Sequence, residues 1–208
     1  MSNAAFPVAL GHAFADPVLG SQRVFRAVMS AMSEPGRVHR LGESIGAPAS
    51  LSPTSARLLL TLADYETPVW FAPSFGADAA AYIRFHCSAP ITGVVTEARF
   101  AVIDGALSEP SMALFDAGED RYPDRSATVI VQCADLTGGS IVQLEGPGIE
   151  TDCLIAPRGL RDGFWDEVAA NHARYPLGID LILVAGDALL ALPRTTRATP
   201  ALQLAEAR

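Results

Sequence analysis

"GIDLILVAGDALLALPRTTR", residues 178–197, decides the architecture of this chain. Two apolar runs, 178–185 and 188–193, flank Gly186 and Asp187, a dipeptide suited to a two-residue hairpin turn. That turn sets Ala185 opposite Ala188 and, counted outward, Asp180 opposite Pro193. Strict alternation then puts Thr195 diagonally across from Asp180 on the same face, while Arg194, beside Ile179, and Thr196 project from the other face. A buried carboxylate needs a donor, so the Thr195 hydroxyl is the expected partner of Asp180. Both strands are almost continuously apolar, the pattern of strands covered on both faces. The expected fold is therefore α/β, a layered α/β/α domain around a mixed sheet.

Working outward from the hairpin, a helix is expected from Pro17 to Ser33, with Val24, Phe25, Val28, Met29 and Met32 at helical spacing. "SEPG" stops it, because Pro35 disfavours helix at the residue before it and Gly36 turns freely. A second helix opens with Ser52 as N-cap and Pro53 at its first position, and ends near Asp64. "PVWFAP" and "RFAVID" read as strands, and "ADAAAYIRFHC" between them as a helix with Tyr82, Ile83 and Phe85 on or near its apolar side. "ATVIVQCADL" and "GSIVQLEG" read as two strands joined by a tight hairpin at residues 137–140, so Gly138 and Gly139 belong to a turn and not to a phosphate cradle. The last helix, "LRDGFWDEVAANHAR", aligns Phe164, Trp165, Val168, Ala169 and His172. One domain is expected over residues 1–208, with 1–19 and 198–208 as peripheral tails.

Composition excludes several classes of chemistry. All 15 basic side chains are arginine, and lysine is absent. No pyridoxal phosphate imine, Schiff-base aldolase or Walker A loop can be built without a lysine amine. The net charge of -8 argues against nucleic acid or an anionic membrane as partner. Three widely spaced cysteines, Cys87, Cys133 and Cys153, form no iron–sulfur or zinc motif, and read as reduced thiols of a cytoplasmic protein. No secretory leader is apparent, and the longest apolar stretch is interrupted by Asp180 and Asp187.

Seven polar residues lie beside or inside apolar segments: Asp64, Arg84, His86, Asp180, Arg194, Thr195 and Thr196. Asp64, Asp180 and Thr195 read as structural. Arg84, His86, Arg194 and Thr196 are the candidate anion-binding set, since arginine forks suit phosphate and phosphonate oxygens. No nucleophile elbow, dinucleotide fingerprint or zinc-protease motif is present, so no residue is assigned a catalytic or metal-binding role.

Five blocks in order carry a family resemblance: "FRAVMSAMSEPG" (25–36), "LLTLADYETPVW" (59–70), "RFHCSAP" (84–90), "YPLGID" (175–180) and "LPRTT" (192–196). Over roughly residues 20–197 the chain resembles the H subunit of the bacterial carbon-phosphorus lyase core complex, with the stretch 105–125 most divergent. The resemblance implies the fold of pyridoxal-phosphate-dependent transferases without the cofactor. It implies a homodimer in isolation and assembly with the G, I and J subunits, where the I subunit exchanges the adenine of a nucleoside triphosphate for a phosphonate. It thus implies a supporting role in α-D-ribose 1-methylphosphonate 5-triphosphate synthesis. The alternative is a phosphate-, phosphonate- or nucleotide-binding module with a direct catalytic role in the vestigial cofactor cleft.

Overall fold

A computed structural model describes residues 13–42, 45–107, 110–151 and 153–201. In chain order the elements are α1 (Pro17–Ser33), β1 (His39–Arg40), α2 (Pro53–Leu62), β2 (Val69–Phe71), α3 (Ala77–Cys87), β3 (Phe100–Asp104), β4 (Thr128–Gln132), β5 (Val142–Glu145), β6 (Cys153–Ile155), α4 (Phe164–His172), β7 (Asp180–Ala185), β8 (Ala188–Leu192) and β9 (Arg197–Pro200). Six strands form one mixed sheet in the order β1-β8-β7-β4-β3-β2. Strands β2, β3, β4 and β7 run parallel, and β8 and β1 are antiparallel additions. The hairpin register is the expected one, from Ala185 opposite Ala188 to Leu181 opposite Leu192.

Period-two alternation sends the central strands' side chains into two separate cores. Val102, Ile130, Ile182, Val184 and Leu189 pack under α1, α2 and α3, which contribute Val24, Val28, Leu58, Leu59, Tyr82 and Ile83. Val129, Val131, Leu181, Leu183 and Leu190 point the other way. Helices were expected on both faces. Among the described residues the second face carries one α-helix, α4, through Phe164 and Val168, beside a small sheet of order β6-β5-β9 that contributes Val142, Leu144, Ile155 and Ala198.

That small sheet corrects two further expectations. Strands β4 and β5 are not a hairpin: β4 pairs with β3 and β7, and β5 with β6 and β9. Val129, Ile130 and Val131 are all fully buried, which places β4 inside the main sheet, whereas β5 alternates buried and half-buried residues and has one apolar face to cover. The turn between them, with Gly138 at φ +78°, carries the chain from one sheet to the other. Residues 198–200 are likewise not a tail, because β9 completes the small sheet and buries Ala198. Residues 17–19 open α1, and the remaining expected tails, 1–12 and 202–208, lie outside the described residues.

Local chemistry explains the helix ends. The Asp16 carboxylate accepts from the amides of Val18 and Leu19, both at 3.0 Å, and Pro17 takes a first position that needs no donor. The Ser52 hydroxyl accepts from Ser55 N–H at 3.0 Å, capping α2. On α1 only Val24, Val28 and Ala31 are buried; Phe25 and Met29, one position on and so about 100° around the axis, face solvent. Phe85 on α3 also points outward. On α4 the buried stripe is Phe164, Val168 and Asn171, with Ala169 exposed.

Gly36, after α1, has φ +82°, and its N–H donates to the Ala191 carbonyl at 3.1 Å. A Cβ there would lie 2.5 Å from Leu144 Cδ1 and 2.9 Å from Cys153 Sγ. Gly36→Ala is therefore expected to cost roughly 2–3 kcal/mol, read as a lower urea midpoint at unchanged m-value.

Candidate functional site

Two of the sequence blocks, "YPLGID" and "LPRTT", meet at the base of the β7–β8 hairpin. Alternation ends at Pro193, which has no N–H for the ladder, and residues 193–196 close a turn through a 2.8 Å bond from Thr196 N–H to the Pro193 carbonyl. The turn rotates Arg194 onto Asp180. The Arg194 amide donates to Asp180 Oδ1 at 2.9 Å, its Nε to the same oxygen at 3.2 Å and its Nη2 to Oδ2 at 2.6 Å. Nη1 donates to the Pro123 carbonyl at 2.6 Å and Nη2 also to Ser126 Oγ. The partner of Asp180 is thus Arg194 and not Thr195. Thr196 is buried with its hydroxyl unpartnered. Both side chains assigned to a ligand-facing side turn inward.

Beneath this pair, Asn171 ties α4 to the start of β7. Its Nδ2 donates to the Ile179 carbonyl at 2.9 Å, and Ile179 N–H donates back to Oδ1 at 2.8 Å. His172 Nδ1 donates to the Arg194 carbonyl at 3.1 Å. Sequence reasoning missed Asn171, although its place seven positions from Phe164 and three from Val168 puts it on their stripe. An open cleft of 320 Å³ flanks the pair, lined by Pro123, Tyr175, Pro176, Pro193, Arg194 and Thr195.

Arg84 and His86 are elsewhere. They occupy the last turn of α3, with Arg84 exposed and the His86 ring against Tyr82 (centroids 4.5 Å apart) and Phe85 (5.0 Å). Strand β2, which leads into α3, is three steps from β7, on the order of 14 Å across the sheet. The four candidate anion ligands do not converge. Asp64 closes the turn after α2, its Oδ1 accepting from Glu66 N–H at 2.9 Å and Thr67 Oγ1 at 3.1 Å.

At the opposite end of the sheet lies a polar cluster that the sequence reading did not single out. Gln132, closing β4, accepts at Oε1 from Ser52 N–H (2.7 Å) and Ser55 Oγ (2.9 Å), and Thr54 Oγ1 donates to the Gly186 carbonyl at 2.8 Å. The carboxyl ends of parallel strands are where open α/β sheets place ligands. Here the first turn of α2 sits on them. The available signal was a glutamine ending an apolar strand, together with three hydroxyls in four residues of the helix start.

The model of the bacterial phosphonate metabolism protein family, PhnH, matches residues 12–199. The chain belongs to this family. It is 44% identical over 186 residues to a Rhizobium meliloti protein named α-D-ribose 1-methylphosphonate 5-triphosphate synthase subunit PhnH, covering 89% of this chain and 93% of that one. HtxG of Stutzerimonas stutzeri, a C-P lyase subunit protein by name, is 31% identical over 176 residues, 84% of each chain.

In this PhnH-family chain burial governs the thiols. It pushes Cys133 up to about 12, helped by the negative charge of Asp104, and raises Cys87 and Cys153 as well. Thiolate chemistry at neutral pH is disfavoured at all three. Among the described residues no three His, Cys, Asp or Glu side chains are grouped to hold a metal ion.

Arg194 and Asp180 are only 12% and 18% exposed at the side chain. Arg194→Ala leaves a poorly solvated carboxylate without its cation and is expected to cost about 3–5 kcal/mol, whereas Thr195→Val is expected to stay within roughly 0.5 kcal/mol; thermal and urea melts check both. The Cys133 thiol ionises near 9 when unfolded and near 12 when folded, so its contribution is intact below pH 9 and is lost as pH rises toward 12. Cys133→Ala should flatten the alkaline limb of the stability curve relative to the parent chain.

Proposed function

We propose that this chain is a supporting subunit of an α-D-ribose 1-methylphosphonate 5-triphosphate synthase within a carbon-phosphorus lyase core complex, acting in organic phosphonate catabolism. The observation that carries the reading is a row of large apolar side chains turned to solvent on α1. Val18, Phe25 and Met29 are 78%, 50% and 55% exposed, at i, i+7 and i+11, on an arc distinct from the core stripe of Val24, Val28 and Ala31. Such a row is the surface an assembly covers. The names of the two relatives support the same role.

On this reading the chain is a homodimer alone and joins the G, I and J subunits in a cytoplasmic complex. Exchange of adenine for phosphonate belongs to the I subunit, and radical cleavage to the J subunit. The layered mixed sheet and the missing lysine support descent from the pyridoxal-phosphate transferase fold with the cofactor given up. No described helix is long and apolar enough to cross a membrane. A catalytic module built on Arg84, His86, Arg194 and Thr196 has no support in the geometry, since the four are apart and Arg194 is occupied by Asp180, Ser126 and Pro123.

Coexpression with the G, I and J subunits provides the test. Phe25→Asp with Met29→Asp is expected to keep the melting temperature of the isolated chain, abolish copurification and reduce synthase activity of the complex at least about tenfold. Undiminished copurification and activity would sink the assignment. The isolated chain is expected to give no borohydride-trapped cofactor adduct and no turnover of ATP with methylphosphonate.

A further inference from the structure

The segments that meet at the base of the hairpin, residues 175–180 and 192–196, leave beside them a cleft that the structural role of the Asp180–Arg194 pair does not account for. It measures 320 Å³ and is walled by Pro123, Pro176, Pro193 and Tyr175, the last 59% exposed. The walls are fixed before anything binds. The Pro123 carbonyl accepts from Arg194 Nη1 at 2.6 Å, the Pro193 carbonyl accepts from Thr196 N–H at 2.8 Å, and Tyr175 N–H donates to the His172 carbonyl at 3.0 Å. Rigid walls lower the ordering cost of binding.

Three polar side-chain groups at the cleft have no partner among the described residues: the hydroxyls of Tyr175 and Thr195 and the carboxylate of Asp124. Arg194 is neutralised by Asp180, so the lining keeps one unbalanced negative charge, on Asp124. Tyr122, next to Pro123, has the Arg125 guanidinium over its ring at 4.1 Å, whereas the Tyr175 ring has no cation or aromatic ring against it among the described residues.

These features select the same occupant. Tyrosine and proline walls suit the polyproline II conformation, which has no internal hydrogen bonds and exposes its carbonyls. A proline-rich segment is rich in acceptors and poor in N–H donors, and the two free hydroxyls can donate to it. A free carboxylate and an uncovered aromatic ring in one cleft suit a guanidinium or ammonium.

We propose that this cleft docks an extended proline-rich segment of a partner protein, with its prolines against Tyr175, Pro176 and Pro193 and a basic side chain on Asp124. None of the α1 row lines the cleft, so the docking does not rest on that row's role in assembly.

Fluorescence anisotropy of the full chain with labelled Pro-Pro-Leu-Pro-Pro-Arg and Arg-Pro-Pro-Leu-Pro-Pro peptides, which sample both chain directions, tests it. At least one is expected to bind one per chain, saturating below about 1 mM. Replacing its arginine with glutamate, or its prolines with alanine, is expected to weaken binding about tenfold or more. Asp124→Asn, at an exposed position, is expected to do the same at unchanged melting temperature, as is Tyr175→Ala, while Phe25→Asp with Met29→Asp binds as the parent chain does. Should Tyr175→Ala fail to fold, Asp124→Asn decides the matter without it. No saturation by millimolar peptide, equal affinity for the glutamate or alanine peptide, full affinity in Asp124→Asn, or loss of binding in the α1 variant overturns the proposal.

Discussion

The Asp180–Arg194 pair holds the base of the central hairpin, and three stretches of chain are registered by it. From the turn after β8, the guanidinium reaches the first residue of β7 and, in the segment just before β4, the carbonyl of Pro123 and the hydroxyl of Ser126. Withdrawing both charges from water is expensive, and the added hydrogen bonds offset that cost only because all the acceptors are in place together. A planar fork with three nitrogens is required; a lysine ammonium at the same position would have no means of spanning the two carboxylate oxygens, a carbonyl and a hydroxyl. The pair fixes geometry more than it adds stability.

With the hairpin registered, its fully buried strands impose a two-sided molecule, and the two sides are built differently. Three helices cover one face, and α1 leaves an apolar row uncovered. One helix and a small sheet cover the other. The buried hydroxyls and amide at the carboxyl ends of β4 and β7 are consumed in seating α2. What the fold offers to other molecules is surface, consistent with work done through partners.

The local features were legible. The hairpin register, both ends of α1, the Ser52 cap and the turn at Gly36 follow from rules that act over a few residues. What escaped was non-local. Thr195 was the natural donor for Asp180 only while the strand continued, and nothing near residue 180 announces that Pro193 ends the alternation and swings Arg194 inward. Strands β4 and β5 resemble a hairpin because they are adjacent in sequence; that β5 pairs instead with residues 197–200 depends on apolar faces elsewhere. Asn171 and Gln132 each satisfy backbone groups or hydroxyls from other elements, so their roles exist only once those elements have met. The anion set failed for the same reason: Arg84 and Arg194 both follow apolar segments, but strand order puts them apart.

The placement of β7, β8 and β9 has a temporal side. β1 waits for β8, β4 for β7 and β5 for β9, so every layer of the domain is completed by residues 180–200. Until residues 180–200 have left the ribosome, β4 presents an unpaired apolar edge and α1 lacks the strands it packs on. Pairing so distant in sequence is slow, and open strand edges invite association with other chains. Synthesis of this subunit thus passes through a long sticky interval that ends all at once, when the hairpin emerges and the arginine after it finds its carboxylate.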